Sequence, residues 1–217
     1  GASQWQFTVG APPFRDVPQS SDAYEAVKFV YDSGLMEGTG GNRFSPDAAV
    51  TRAQAITVLA RMAGAVQAES DACSDVSSGS WYSGYVGWAV TNGIVEGDGQ
   101  GRFLPDEAVT GTQMEQMLTR CAALANLSYD ASNASAQPLT RAQLAQILWR
   151  MGGSAEAEET AFFSDVAPSD WYAGAVSWCC QEGLMSGTDA GFLPNSPLSR
   201  EQLALVLMQY AQYTGLD

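Results

Sequence analysis

The chain has 217 residues, 46% hydrophobic and 10% aromatic, which is ample material for a packed core. Its formal charge of −14 and pI near 4.1 oppose binding to nucleic acid or to an anionic membrane surface. The absence of histidine excludes Ser-His-Asp and Cys-His catalysis and histidine-based zinc sites, so neither cofactor nor metal is expected.

Residues 1–13 read as an N-terminal extension, with a weak period-two alternation over Gln4 to Val9, and any export signal is expected ahead of Gly1. A first module spans 14–64. It opens with Phe14-Arg15-Asp16-Val17, then places Asp22, Ala26, Phe29 and Val30 at helical spacing. Gly34 follows as a left-handed C-terminal cap, then Gly38, then Phe44-Ser45-Pro46-Asp47. Thr51-Arg52-Ala53-Gln54 starts a second helix with Ala55, Val58, Leu59 and Met62 on one stripe.

The same order recurs in a second module, 73–153. It runs from Cys73-Ser74-Asp75-Val76 through Trp81, Tyr85, Trp88 and Ala89 to Gly93 and Gly97. Phe103-Leu104-Pro105-Asp106 and the degenerate Thr110-Gly111-Thr112-Gln113 follow. A further closing motif, Thr140-Arg141-Ala142-Gln143, predicts an extra helix in this module. The third module, 163–212, opens with Phe163-Ser164-Asp165-Val166 and continues with Trp171, Ala175, Trp178 and Cys179. Gly183, Gly187, Phe192-Leu193-Pro194-Asn195 and Ser199-Arg200-Glu201-Gln202 complete it. A repeat this regular predicts an all-α fold in which no module buries its apolar face alone. No uncharged apolar run approaches the ~18 residues that span a bilayer.

The closing motif divides by position. Thr or Ser with Gln three residues on forms a reciprocal cap, so both are accounted for structurally. The Arg between them is not needed by the cap, since Gly111 replaces it, and a cation there opposes the helix dipole. Arg52, Arg141 and Arg200 therefore read as surplus to the fold, with Arg52→Ala and Arg200→Ala expected within about 0.5 kcal/mol of the parent. They either face free helix amides as an anion site or pair with a neighbouring Asp. Trp88 and Trp178 read as core, whereas Trp81 and Trp171 at a helix start either pack or stack on a sugar ring. The turn Glu96-Gly97-Asp98-Gly99 lacks the remaining ligands of a calcium loop. Asp16, Asp75 and Asp165 recur once per module and do not form one asymmetric acid pair. Cys73, Cys121 and Cys179 fall on apolar positions and read as inert thiols, with Cys73–Cys121 the one bridge left open.

Phe-x-Asp-Val, Trp-Tyr-x-x-Ala-Val-x-Trp, Gly-x-x-x-Gly, Phe-x-Pro-Asp and Thr-Arg-Ala-Gln, in this order, resemble the S-layer homology family, over roughly Phe14 to Tyr210. The resemblance implies three modules in a pseudo-threefold bundle, as a monomeric unit at the cell wall of a Gram-positive or related bacterium. It implies a non-enzymatic anchor whose inter-module grooves bind secondary cell-wall polysaccharide, in that family often pyruvylated. The implied groove residues are Arg52, Arg200, Arg141, Trp81, Trp171, Gly38, Gly97 and Gly187. Gly111 departs from the motif and leaves one expected site in question, and Gly111→Arg is then expected to restore it. The alternative is a structural or protein–protein module with decayed grooves.

Overall fold

The computed structural model describes residues 12–69, 71, 73–124, 136–158 and 163–215. The alternation at Gln4 to Val9 lies outside them. Among the described residues are seven helices and no sheet: α1 Tyr24–Asp32, α2 Arg52–Met62, α3 Ser83–Thr91, α4 Gly111–Leu124, α5 Arg141–Met151, α6 Ala173–Gln181 and α7 Arg200–Thr214. None is long and apolar enough to cross a membrane. The three modules contribute opening helices α1, α3 and α6 and closing helices α2, α4 and α7, and α5 is the extra closing helix. Opening helices end at Gly34, Gly93 and Gly183, with φ of 68°, 67° and 70°, a left-handed conformation that costs glycine little.

The closing helices stand in a ring. Just ahead of each, the chain donates one backbone hydrogen bond to its neighbour: Val109 to Val50, Leu139 to Val109, Leu198 to Leu139 and Val50 to Leu198. The cycle closes on itself with four members. Three complete modules are present, as the repeat implies, and α5 adds a fourth place to the ring that carries their closing helices. The predicted stripes face one another inside it, where Leu59, Leu118, Leu148 and Leu207 help line a small apolar cavity of about 70 Å³.

Opening helices pack outside the ring, each on the closing helix that precedes it in the cycle: α3 on α2, α6 on α5, and α1 on α7. No opening helix packs on α4 among the described residues, and its sequence answers this. Cys179 of α6 donates to the Ala145 carbonyl of α5. The corresponding position of α4 is Glu115, which is buried and pairs with Arg150 of α5 at 3.2 Å.

All four cysteines are free. Cys73 and Cys121 do not bridge, and burial pushes the Cys121 thiol up to about 11 and raises that of Cys73. Trp178 is 3% exposed and Trp88 is half-buried, in line with their core positions. Trp81 and Trp171, read as starting helices, instead precede α3 and α6 by a turn and stay half exposed, at 50% and 48%.

Candidate functional site

Reciprocal caps form at all four closing helices. Thr51, Thr110, Thr140 and Ser199 accept from the amides of Gln54, Gln113, Gln143 and Gln202, whose side chains accept in return from the cap amides. The next amides are not free. Arg52 and Ala53 donate to the Glu107 and Pro105 carbonyls, Arg141 and Ala142 to Ser196 and Pro194, and Arg200 and Glu201 to Ala48 and Pro46. The helix starts are therefore filled by a neighbouring module's Phe-x-Pro loop, which removes the anion site expected there.

The motif arginines are not surplus. Arg52, Arg141 and Arg200 are 6%, 6% and 2% exposed, and their Nε atoms donate to the carbonyls of Phe103, Phe192 and Phe44 at 2.8 Å. Each guanidinium lies 4.5–4.7 Å from the centre of that same Phe ring. Nη2 of Arg141 also reaches the Ser186 carbonyl, and Nη2 of Arg200 that of Glu37. Burial pushes all three pKa values down, that of Arg200 to about 10, which leaves the groups charged at neutral pH. Each Arg thus ties its helix to the loop of the next module around the ring, and Arg141 supplies this link for module three.

Gly111 now has a physical reason. Its amide donates to Gln137. In the other three places a Phe stands four residues before that acceptor, whereas the sequence here has Asn133. With no Phe loop to receive an arginine, none is kept. A Cβ at Gly111 would lie 2.5 Å from the Gln143 amide nitrogen, so Gly111→Arg must displace the amide that closes the Thr140 cap.

The module carboxylates are structural as well. Asp16 accepts from the amides of Phe44 and Ser45, Asp75 from Phe103 and Leu104, and Asp165 from Phe192 and Leu193. These bonds pin Ser45, Leu104 and Leu193 at φ near +60°, unusual for residues with side chains. Burial alone would raise the Asp16 carboxyl, but these amides and Arg43 hold it below the usual range. The amide of Phe192 chiefly does the same for Asp165. A carboxyl depressed in the folded state adds stability that is present above its unfolded pKa, ~3.9, and lost as pH falls through the folded value. Glu201, raised by burial and then by Asp47 and Asp22, acts in the opposite sense above that range. Stability is therefore expected to fall steeply only below about pH 4, with Asp165→Asn weaker at pH 7 and flatter in acid. Urea midpoints of both proteins between pH 7 and 3 check this, and parallel curves would refute it.

Of the remaining candidates, Gly38, Trp81, Gly97 and Trp171 line grooves beside the closing helices. The α2 groove, about 470 Å³, runs between the Leu35–Gly40 turn and α2 and is bordered by Arg61, Arg200 and Trp81. Gly38 must lack a side chain, since a Cβ would lie 2.6 Å from the Phe14 ring and 2.7 Å from the Arg43 carbonyl. The α4 groove, about 170 Å³, holds Gly97, Arg52 and Arg120. An α5 groove of about 600 Å³ has Trp171, Thr140 and Gln143. Gly187 packs closely against Phe163. Trp81 and Trp171 are propped edge-on by Tyr82 and Tyr172 at 5.1 Å, each leaving much of its surface open. Sequence reasoning missed Arg61 and Arg120. Their signal was the recurrence of an arginine near the end of α2, α4 and α5, at Arg61, Arg120 and Arg150.

Comparison with known proteins supports the repeat. The model of the S-layer homology domain family matches residues 13–56, 74–115 and 162–204. The chain is 27% identical to the surface-layer 125 kDa protein of Lysinibacillus sphaericus over 195 residues, 86% of this chain and 14% of that protein. It is 34% identical to an endoglucanase of Bacillus sp. (strain KSM-635) over 108 residues, 50% of this chain and 11% of the enzyme. It is 26% identical to S-layer protein sap of Bacillus anthracis over 107 residues, 48% of this chain and 13% of that protein. The chain spans only a small part of each of these relatives.

Proposed function

Because the chain belongs to the S-layer homology domain family, we propose that it anchors a surface protein to the bacterial cell wall without a covalent bond, by binding secondary cell-wall polysaccharide. Its place is the cell surface, as for its S-layer relatives. The α2 groove carries the reading: one cleft combines a half-exposed indole, the backbone of the Gly38 turn, and a cation. A sugar ring can stack on Trp81, its hydroxyls can bond the Gly38 turn and Gln54, and an acidic substituent such as a pyruvate ketal can pair with arginine. Arg200 serves this site by holding the Glu37 carbonyl of its wall in place.

A non-catalytic role fits the same geometry. Asp16, Asp75 and Asp165, the regular acids of the repeat, are engaged by loop amides and not aimed at a shared substrate. The matched endoglucanase shares only 11% of its length with this chain, as expected of an attached module.

Co-sedimentation with purified wall sacculi tests the proposal. The protein should pellet with native sacculi and stay in solution once their polysaccharide has been stripped by acid. Equal retention on stripped sacculi would overturn the polysaccharide reading. No retention on either would favour the protein–protein alternative.

A further inference from the structure

The grooves are not copies of one another, and their differences concern charge and stacking. In the α2 groove, Arg61 is oriented on three sides: its Nε donates to the Tyr85 hydroxyl, Nη1 to the Leu35 carbonyl, and its guanidinium lies 5.1 Å from the Tyr85 ring centre. The remaining nitrogen, Nη2, pairs with Glu37, whose side chain is 57% exposed. Arg200 borders the same groove but is 2% exposed and committed to two carbonyls. Of the two cations, Arg61 is the one with a replaceable partner. A ligand carboxylate or phosphate can take the place of the Glu37 carboxylate with one ion pair broken and one formed, and the displaced Glu37 is already at the surface.

Among the described residues, neither the α4 groove, the α5 groove nor the α7 end combines these parts. The α4 groove has the counterpart pair, Arg120 with Glu96, but only about 170 Å³ and no aromatic residue besides buried Phe103 among its lining. The α5 groove has Trp171, yet no cationic side chain lines it, and Arg150, the counterpart of Arg61, is turned to buried Glu115. At α7 the counterpart of Arg61 is Gln209 and that of Trp81 is Asp22. Asp22 and Asp47 lie close enough to Glu201 to act on its charge, so that end is acidic.

We infer that this chain carries one complete site for an acidic glycan, the α2 groove, in which Arg61 reads the acidic group by exchange for Glu37 and Trp81 stacks on the sugar. This rests on the polysaccharide-binding reading above, and sharpens it to one groove and one cation.

Calorimetric titration with short acidic fragments, released from wall polysaccharide by dilute acid, tests the inference. The parent chain should bind one fragment, more weakly as salt rises. Trp81→Ala and Arg61→Gln should each weaken binding at least tenfold, while Arg15→Gln, an exposed change of equal charge, should leave it unaltered. Since Arg61 also supports Tyr85 and the Leu35 turn, Glu37→Gln provides an independent arm: it keeps those contacts, removes the competing carboxylate, and should tighten binding severalfold. Two or three fragments bound per chain would overturn the inference while leaving wall anchoring intact. So would an Arg120→Gln loss equal to that of Arg61→Gln, or weaker binding by Glu37→Gln. Failure of the parent chain to bind either fragments or sacculi would overturn both readings.

Discussion

Arg200→Ala is expected to destabilise the protein by about 2–4 kcal/mol, lowering its melting temperature by roughly 10 °C. The replacement deletes two hydrogen bonds from a cation, each contributing ~1.5–3 kcal/mol, and strands the carbonyls of Phe44 and Glu37 where little water reaches them. It also removes the guanidinium from the face of a fully buried ring. Release of the buried charge from its own desolvation offsets part of this, which keeps the figure below the sum. Arg52→Ala should show a smaller loss in the same direction. Denaturant unfolding decides it. A change within 0.5 kcal/mol would return Arg200 to the surface role that its sequence position suggests.

A larger effect is expected from ending the chain at residue 158. The shortened protein retains two complete modules but should show no cooperative melting transition. α1 would lose α7, the helix on which it packs, together with the bond from Val50 to Leu198 and the Arg200 contacts with its loop. α5 would lose α6 and the Phe192 loop held by Arg141. Each large apolar side chain returned to water costs ~1.5–3 kcal/mol. A handful of them matches the ~5–15 kcal/mol by which a domain is stable. Calorimetry of residues 1–158 should therefore give a broad, featureless trace. A sharp transition near that of the whole chain would mean that the modules fold independently.

Helices, caps and left-handed glycines were legible because each is a local matter. Thr51 with Gln54, or Gly34 after Val30, states its role within a few residues. The ring was not legible, since α1 and its partner α7 come from opposite ends of the chain, and repeat spacing does not say which neighbour a helix chooses. The motif arginines were misjudged for a related reason. Their acceptors are backbone carbonyls, which every residue type has, so sequence position advertises no partner. The usable signal was a joint absence: the place without arginine is also the place without a Phe loop. Trp81 was read into the helical stripe because its spacing fits, but α3 begins only at Ser83. Arg61 and Arg120 were passed over because an isolated arginine near a helix end ordinarily means a solvated flank.

The closed cycle also bears on mechanical load. A protein that holds something to a wall is pulled, and a tandem array linked like beads would yield module by module at its weakest member. Here the first and last modules grip each other directly, through α1 against α7 and the bond from Val50 to Leu198. When both ends are pulled, tension between residues 12 and 215 falls first on that clasp. The module between them is shielded until it opens, and rupture is then expected as one large event instead of a staircase of small ones.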